Sequence, residues 1–189
     1  MKTPTNPIIT RPDRKTFRKI ASEANKSQDP VDFYNLGCCF HYGWGTTPNF
    51  EKAAACYERA VAAGIATAEN NLGMLYMCGH GVEQDLLKAM ALFKRAAEKG
   101  MTEAMNSLST IFLIRKYDGI PPCEDIGRSW LLKAAEAGHP SAMNNLGLGY
   151  AAGSWGLPKD REKALFWLKE AVKRGHDTAG EALVSVFLS

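Results

Sequence analysis

Residues 67–100 read TAENNLGMLYMCGHGVEQDLLKAMALFKRAAEKG. An apolar segment is followed by a Gly-x-Gly loop, then by a longer apolar segment that stops at a glycine. In the first segment Ala68, Leu72, Leu75 and Tyr76 fall at i, i+4, i+7 and i+8, one face of a helix with 3.6 residues per turn. The second segment ends at Gly100, a residue suited to the left-handed position just past a helix. The stretch predicts a helix, a tight turn and a second helix.

The rest of the chain repeats this unit. Asn71-Leu72-Gly73 is preceded 36 residues earlier by Asn35-Leu36-Gly37 and followed 74 residues later by Asn145-Leu146-Gly147, with Ser107-Leu108-Ser109 as a weaker copy halfway. The closing glycines Gly64, Gly100, Gly138 and Gly175 are spaced by 36, 38 and 37. Two independent markers with one period signal a stacked repeat. Further columns keep that period. Phe40, Tyr76, Phe112 and Tyr150 form an aromatic one. Seven residues before each closing glycine stand Tyr57, Phe93, Leu131 and Leu168, and eight before stand Cys56, Leu92, Trp130 and Trp167. Both sets read as core. A glycine inside a helix costs ~1 kcal/mol relative to Ala. Gly73 and its equivalents therefore predict the close approach of a neighbouring helix. Gly43-Trp44-Gly45, Gly79-His80-Gly81 and Gly153-Ser154-Trp155-Gly156 supply the turns.

These residues carry a resemblance. LG-x-x-Y/F, then G-x-G, Asp, K-A, an aromatic and A-A-x-x-G resembles the Sel1-like repeat, a relative of the tetratricopeptide repeat, over roughly residues 31–188. The third copy departs from it, with Ser107 and Ser109 for Asn and Gly, Arg115-Lys116-Tyr117 for the glycine turn, and Pro121-Pro122 ahead of its second helix. The resemblance implies an all-α fold: a right-handed superhelix, or solenoid, of about four helix pairs that binds other proteins. The expected layout is a flexible tail and N-terminal capping helix over 1–30, then a solenoid over 31–189. Its units fall at about 31–66, 67–102, 103–140 and 141–177, with an unpaired helix at 178–188. That last helix carries Leu183, Val184, Phe187 and Leu188, expected to pack on the fourth unit. With no polar helix after it, a contact with a second copy through this end is a further expectation.

Composition bounds the function. The 189 residues suffice for one core, and 46% apolar with 23% charged residues is ordinary for a globular protein. A net charge of +3 gives no ground for nucleic-acid binding. The charge is uneven: residues 1–30 hold seven Lys or Arg against three acids. Arg11, Arg14, Lys15, Arg18 and Lys19 read first as the solvated face of the capping helix and second as an arm for an acidic partner or membrane. No run reaches the ~20 apolar residues of a membrane span, and MKTPTNPIITRPDRKTF lacks a signal-peptide apolar region. Five cysteines, an odd number without regular spacing, argue for reduced thiols. The expected location is cytoplasmic.

The sequence offers no reaction chemistry. His139 and His176 follow closing glycines at equivalent positions and read as scaffold. His41 and Cys38 stand at i and i+3 but have no second pair to complete a metal site. There is no Gly-x-Ser-x-Gly elbow, phosphate loop or dinucleotide fingerprint. A non-enzyme without cofactor or metal is expected. Its partner is a protein or peptide held in a concave groove lined by first-helix positions opposite the core stripe. These are Tyr34, Cys38 and His41; Asn70, Met74 and Met77; Asn106, Thr110 and Leu113; Asn144, Leu148 and Ala151. Asn70, Asn106 and Asn144 either hold an extended peptide backbone through their amides or serve the fold. Trp44 and Trp155, in the turns, are candidate contact anchors or covers for their own helix pairs. A scaffold or adaptor is the first reading. An inhibitor or immunity-type protein that covers the active site of one enzyme or toxin is the alternative.

Overall fold

The computed structural model describes residues 12–113 and 123–188. The tail before Pro12, Arg11 with it, the loop over 114–122 and Ser189 lie outside the described residues. Ten helices and no strand occur among the residues described: α1 (Arg14–Ser27), α2 (Pro30–Tyr42), α3 (Phe50–Ala62), α4 (Ala66–Cys78), α5 (Leu86–Glu98), α6 (Thr102–Leu113), α7 (Glu124–Glu136), α8 (Pro140–Ala152), α9 (Arg161–Lys173) and α10 (Ala179–Leu188). The all-α class expected from the repeat is the class found, as successive helix pairs. The chain divides into two compact units, Met1–Arg95 and Ala96–Ser189.

In the first unit the repeat signature acquires physical causes. Asn49 and Asp85 cap α3 and α5, accepting the N–H of Lys52 at 2.8 Å and of Lys88 at 2.9 Å. Their own N–H groups donate back to the carbonyls of Phe40 and Tyr76, closing the turn at 2.8 and 3.0 Å. The lysine three residues past each cap then lays its ammonium over the same aromatic, Lys52 on Phe40 at 5.5 Å and Lys88 on Tyr76 at 5.3 Å. Cap, lysine and aromatic form one device, and the second unit repeats it with Asp160, Lys163 and Tyr150.

The core of this unit forms where glycine meets ring. A Cβ on Gly37 would lie 2.7 Å from the Tyr57 ring, and one on Gly73 2.8 Å from the Phe93 ring. Tyr57 and Phe93 are fully buried. Glu69 is also fully buried, and Arg95 donates to its carboxylate at 2.6 Å. Helix α1 packs on the first pair, with Phe17 edge-on to Phe40 at 5.6 Å.

In the second unit Gly147 receives Leu168 in the same way, with a Cβ there 2.7 Å from the leucine. The third repeat solves the problem differently. Ser109 replaces the glycine, buried, with its hydroxyl donating to the Asn106 carbonyl at 2.8 Å. A glycine also stands on the facing helix, where a Cβ on Gly127 would lie 2.5 Å from Leu113. The other repeats carry Ala53, Ala89 and Ala164 at that position, all fully buried. Cys123 stands at the α7 N-cap and makes no capping bond, the local price of losing the Asp.

Two core expectations need correction. Trp130 and Trp167 are half-buried, whereas Cys56 and Leu92 in their column are buried. The indoles lie at the rim, and Lys133 sits over Trp130 at 4.5 Å. On α10 the buried stripe runs through Ala179, Ala182, Leu183 and Val186. Val184, Phe187 and Leu188 face outward, 57%, 65% and 79% exposed. Val184 stands 37 residues after Gly147, so a side chain fills the place where the first, second and fourth repeats keep a glycine.

The caps predict an acid response. Hydrogen bonds, first from the backbone N–H of the residue three ahead, hold Asp13, Asp85 and Asp160 below the usual carboxylate pKa. Stability from a depressed carboxylate is fully present above its unfolded pKa, ~3.9, and is lost as pH falls through the lower folded value. An Asp85→Asn, Asp160→Asn variant keeps the caps without the charge. Its urea midpoint is expected to fall less than the wild type's between about pH 5 and about pH 2. Parallel curves would show that the caps do not carry acid sensitivity.

Candidate functional site

The outward rows of the first helices carry no acidic or basic side chain except His41. The structure treats them unequally. In the first unit Tyr34, Cys38 and His41 gather on the hydroxyl end of Tyr57. The two tyrosine rings are 6.1 Å apart, Cys38 Sγ lies 3.7 Å from the hydroxyl and His41 Nδ1 3.3 Å from it. Asn71 donates to the same oxygen at 3.4 Å. Cys38 is buried, while Tyr34 and His41 are half-buried.

The electrostatics of this cluster favour the neutral form of each group. Burial pushes the Cys38 thiol and the Tyr34 and Tyr57 phenols up, and pushes His41 down, with His80 adding to the last effect. Burial raises Cys39 and Cys56 to about 11. A nucleophilic cysteine needs a lowered pKa, whereas each of these groups is held neutral. Among the described residues no group of three or more His, Cys, Asp or Glu is placed to hold a metal ion.

On α4, Met74 is exposed, Met77 half-buried, and Asn70 buried at 9% exposure. In the second unit Asn106 and Thr110 are half-buried, with Thr110 donating to the Asn106 carbonyl at 3.0 Å. Leu113 turns inward onto Gly127, Asn144 is buried at 6% exposure, Leu148 is exposed and Ala151 half-buried. The carboxamide oxygens of Asn70, Asn106 and Asn144 are buried without a hydrogen-bond partner. Asn35, one position over in the first repeat, shares that state.

Of the turn tryptophans, Trp44 is half-buried and stacks on Tyr42 at 4.9 Å. Trp155 adopts φ +57°, rare for a side chain this large, and lies across Gly149, where a Cβ would be 3.0 Å from the indole. Its carbonyl accepts from Arg128 at 2.6 Å. It covers its own helix pair. Sequence reasoning missed Tyr57 as the hub and Tyr42 as an exposed aromatic. Tyr57 carried one signal, a hydroxyl in a column otherwise filled by Phe and Leu.

The pattern of helix pairs, turn glycines and capped second helices defines a helical-repeat protein. The Sel1 repeat model matches residues 34–65, 66–101, 102–139 and 140–176. The chain belongs to the Sel1 repeat family, whose members are in general protein-interaction scaffolds. Among solved structures it is similar to a Sel1 repeat protein from Oxalobacter formigenes, with TM-score 0.84 and 27% identity over 93% of this chain and 70% of that one. A protective antigen of uropathogenic Escherichia coli gives TM-score 0.79 and 25% identity over 93% of this chain and 36% of that one. An immunity protein from Pseudomonas aeruginosa gives TM-score 0.59 and 25% identity over 84% and 57%. No curated protein matches the chain in sequence. No helix among the described residues is long and apolar enough to cross a membrane.

Proposed function

We propose that this chain is a non-enzymatic scaffold that holds a protein or peptide against the outward faces of its first helices. The observation that carries the reading is the row of unpartnered amide oxygens. Leaving a buried carbonyl oxygen unpaired costs ~1–3 kcal/mol. The same omission at one position of three repeats, Asn70, Asn106 and Asn144, fits amides that turn outward to meet donors arriving with a ligand, the oxygens being covered in the free chain. Backbone N–H groups of an extended segment are such donors. Met74 in the first unit and Leu148 in the second lie one turn further along, exposed, to receive apolar side chains. Five unpaired thiols support a reducing compartment, the cytoplasm.

A second reading has its own support. One similar structure is an immunity protein, so an inhibitor that covers a single enzyme or toxin is the alternative. Capture from native lysate with wild type and with Asn106→Ala, Asn144→Ala as baits tests both. The substitutions delete unpaired oxygens, so stability is expected to hold or rise, while capture of the specific partner falls about tenfold. Unchanged capture, or a large loss of stability, would assign the amides to the fold. One stoichiometric partner whose activity is abolished favours the inhibitor; several weaker ones favour the adaptor.

A further inference from the structure

The basic start of α1 is not absorbed by the scaffold reading, and the structure gives it a setting. A cavity of about 630 Å³ is lined by Arg14, Phe17, Arg18, Gly43, Gly45, Thr46 and Thr47. A second, of about 490 Å³, is lined by Pro12, Tyr42, Gly43, Trp44 and Gly45. They share Gly43 and Gly45 and form one trough between α1 and the turn after α2. Its walls are fixed. A Cβ on Gly45 would lie 2.4 Å from the Asp13 carbonyl and 2.7 Å from Phe17, so the turn is pressed onto α1. Phe17 is in turn seated on Phe40.

The two ends of the trough differ in chemistry. At one, Arg14 and Arg18 stand one helical turn apart, both exposed, with no ion pair among the described residues. The nearest acid in sequence, Asp13, spends its carboxylate on the Thr16 N–H at 2.7 Å. Thr46 and Thr47 line the same cavity as these two arginines. At the other end Tyr42, 52% exposed, and Trp44 form a stacked aromatic shelf.

We infer that this trough binds an extended acidic segment of a partner protein, with carboxylates on Arg14 and Arg18 and an apolar side chain on the Tyr42–Trp44 shelf. Spacing favours a chain over a lone anion. Residues four apart on a helix lie ~5–6 Å from each other. Alternate side chains of an extended strand lie ~6.6 Å apart on one face. Two carboxylates separated by one residue thus match the two arginines, each able to accept a forked pair of hydrogen bonds. A single phosphate would need both guanidinium groups to converge. Gly43 and Gly45 line both parts of the trough and join its two ends. This site is separate from the amide rows and does not depend on them.

The test uses the full chain and a fluorescein-labelled peptide of alternating Glu and Thr followed by Phe, read by anisotropy. Arg14→Glu with Arg18→Glu is expected to weaken binding about tenfold or more. Lys15→Glu with Lys19→Glu makes the same charge change on the same helix outside the trough, and is expected to stay within about twofold. Tyr42→Ala should weaken the peptide carrying Phe and leave one ending in Ser unaffected. Circular dichroism of each variant checks that α1 remains helical. Absence of binding by the wild type, or equal losses from the two charge reversals, would overturn the site. Displacement by inorganic phosphate or a mononucleotide at lower concentration than by unlabelled peptide would overturn the acidic segment in favour of a small phosphate ligand.

Discussion

Replacing Gly81 with alanine is expected to cost ~3 kcal/mol of stability, whereas the same change at Gly79, two residues earlier, is expected to cost ~1 kcal/mol. The two glycines have the same backbone, φ +69° and +68°. Any side chain in this left-handed region costs ~1–2 kcal/mol. They differ in space. A Cβ on Gly79 meets Gln84 at 3.3 Å and beyond, a surface side chain that can yield. A Cβ on Gly81 would lie 2.3 Å from the Phe50 carbonyl carbon and 2.4 Å from the Glu51 nitrogen, main-chain atoms at the start of α3. The first glycine of the turn ends a helix; the second presses the turn onto the preceding pair. Urea unfolding of both variants, with the slope held constant, measures the difference in midpoint. Equal losses would mean that backbone conformation alone accounts for both residues.

The second large effect lies in the core. Phe93→Ala is expected to destabilise by ~3–5 kcal/mol, as a fully buried ring is lost. Gly73 makes that number informative. In the wild type, Gly73→Ala forces a methyl group to 2.8 Å from the Phe93 ring. An overpacking cost of ~1–3 kcal/mol opposes the ~1 kcal/mol gained in helix propensity. With Phe93 truncated, the methyl group enters an empty site and only the gain remains. The double-mutant cycle is expected to show a coupling of ~1–3 kcal/mol, with Gly73→Ala stabilising in the Phe93→Ala background. Additivity within ~0.5 kcal/mol would show that the glycine is not there for the ring.

Much of the fold was legible because it is written locally. The apolar period, the turn glycines and the Asx caps each act within a few residues, and together they mark out successive helix pairs. What was not legible depends on which side chain faces which across helices. Cys38 points inward because Tyr57 carries a hydroxyl that reaches it. Leu113 points inward because Gly127 opens space for it. Glu69 lies in the core because Arg95 is placed to meet it, whereas one repeat earlier Arg59 lies over Phe33 at 3.6 Å. The outward rows were readable as positions. Their chemistry was not, because burial of Asn70 and Asn144 is set by neighbours that the period does not name.

The third repeat, with Ser109 on one helix and Gly127 against Leu113 on the next, bears on how such chains can be recombined. Joining α6 to α9 would set Ser109 against Leu168, where Gly147 leaves no room for a Cβ. Joining α8 to α7 would bring Gly147 and Gly127 to one seam and leave a void. A single helix is therefore not a transferable part of this protein. The smallest unit that can be swapped, duplicated or inherited intact is the helix pair, with its seam already matched.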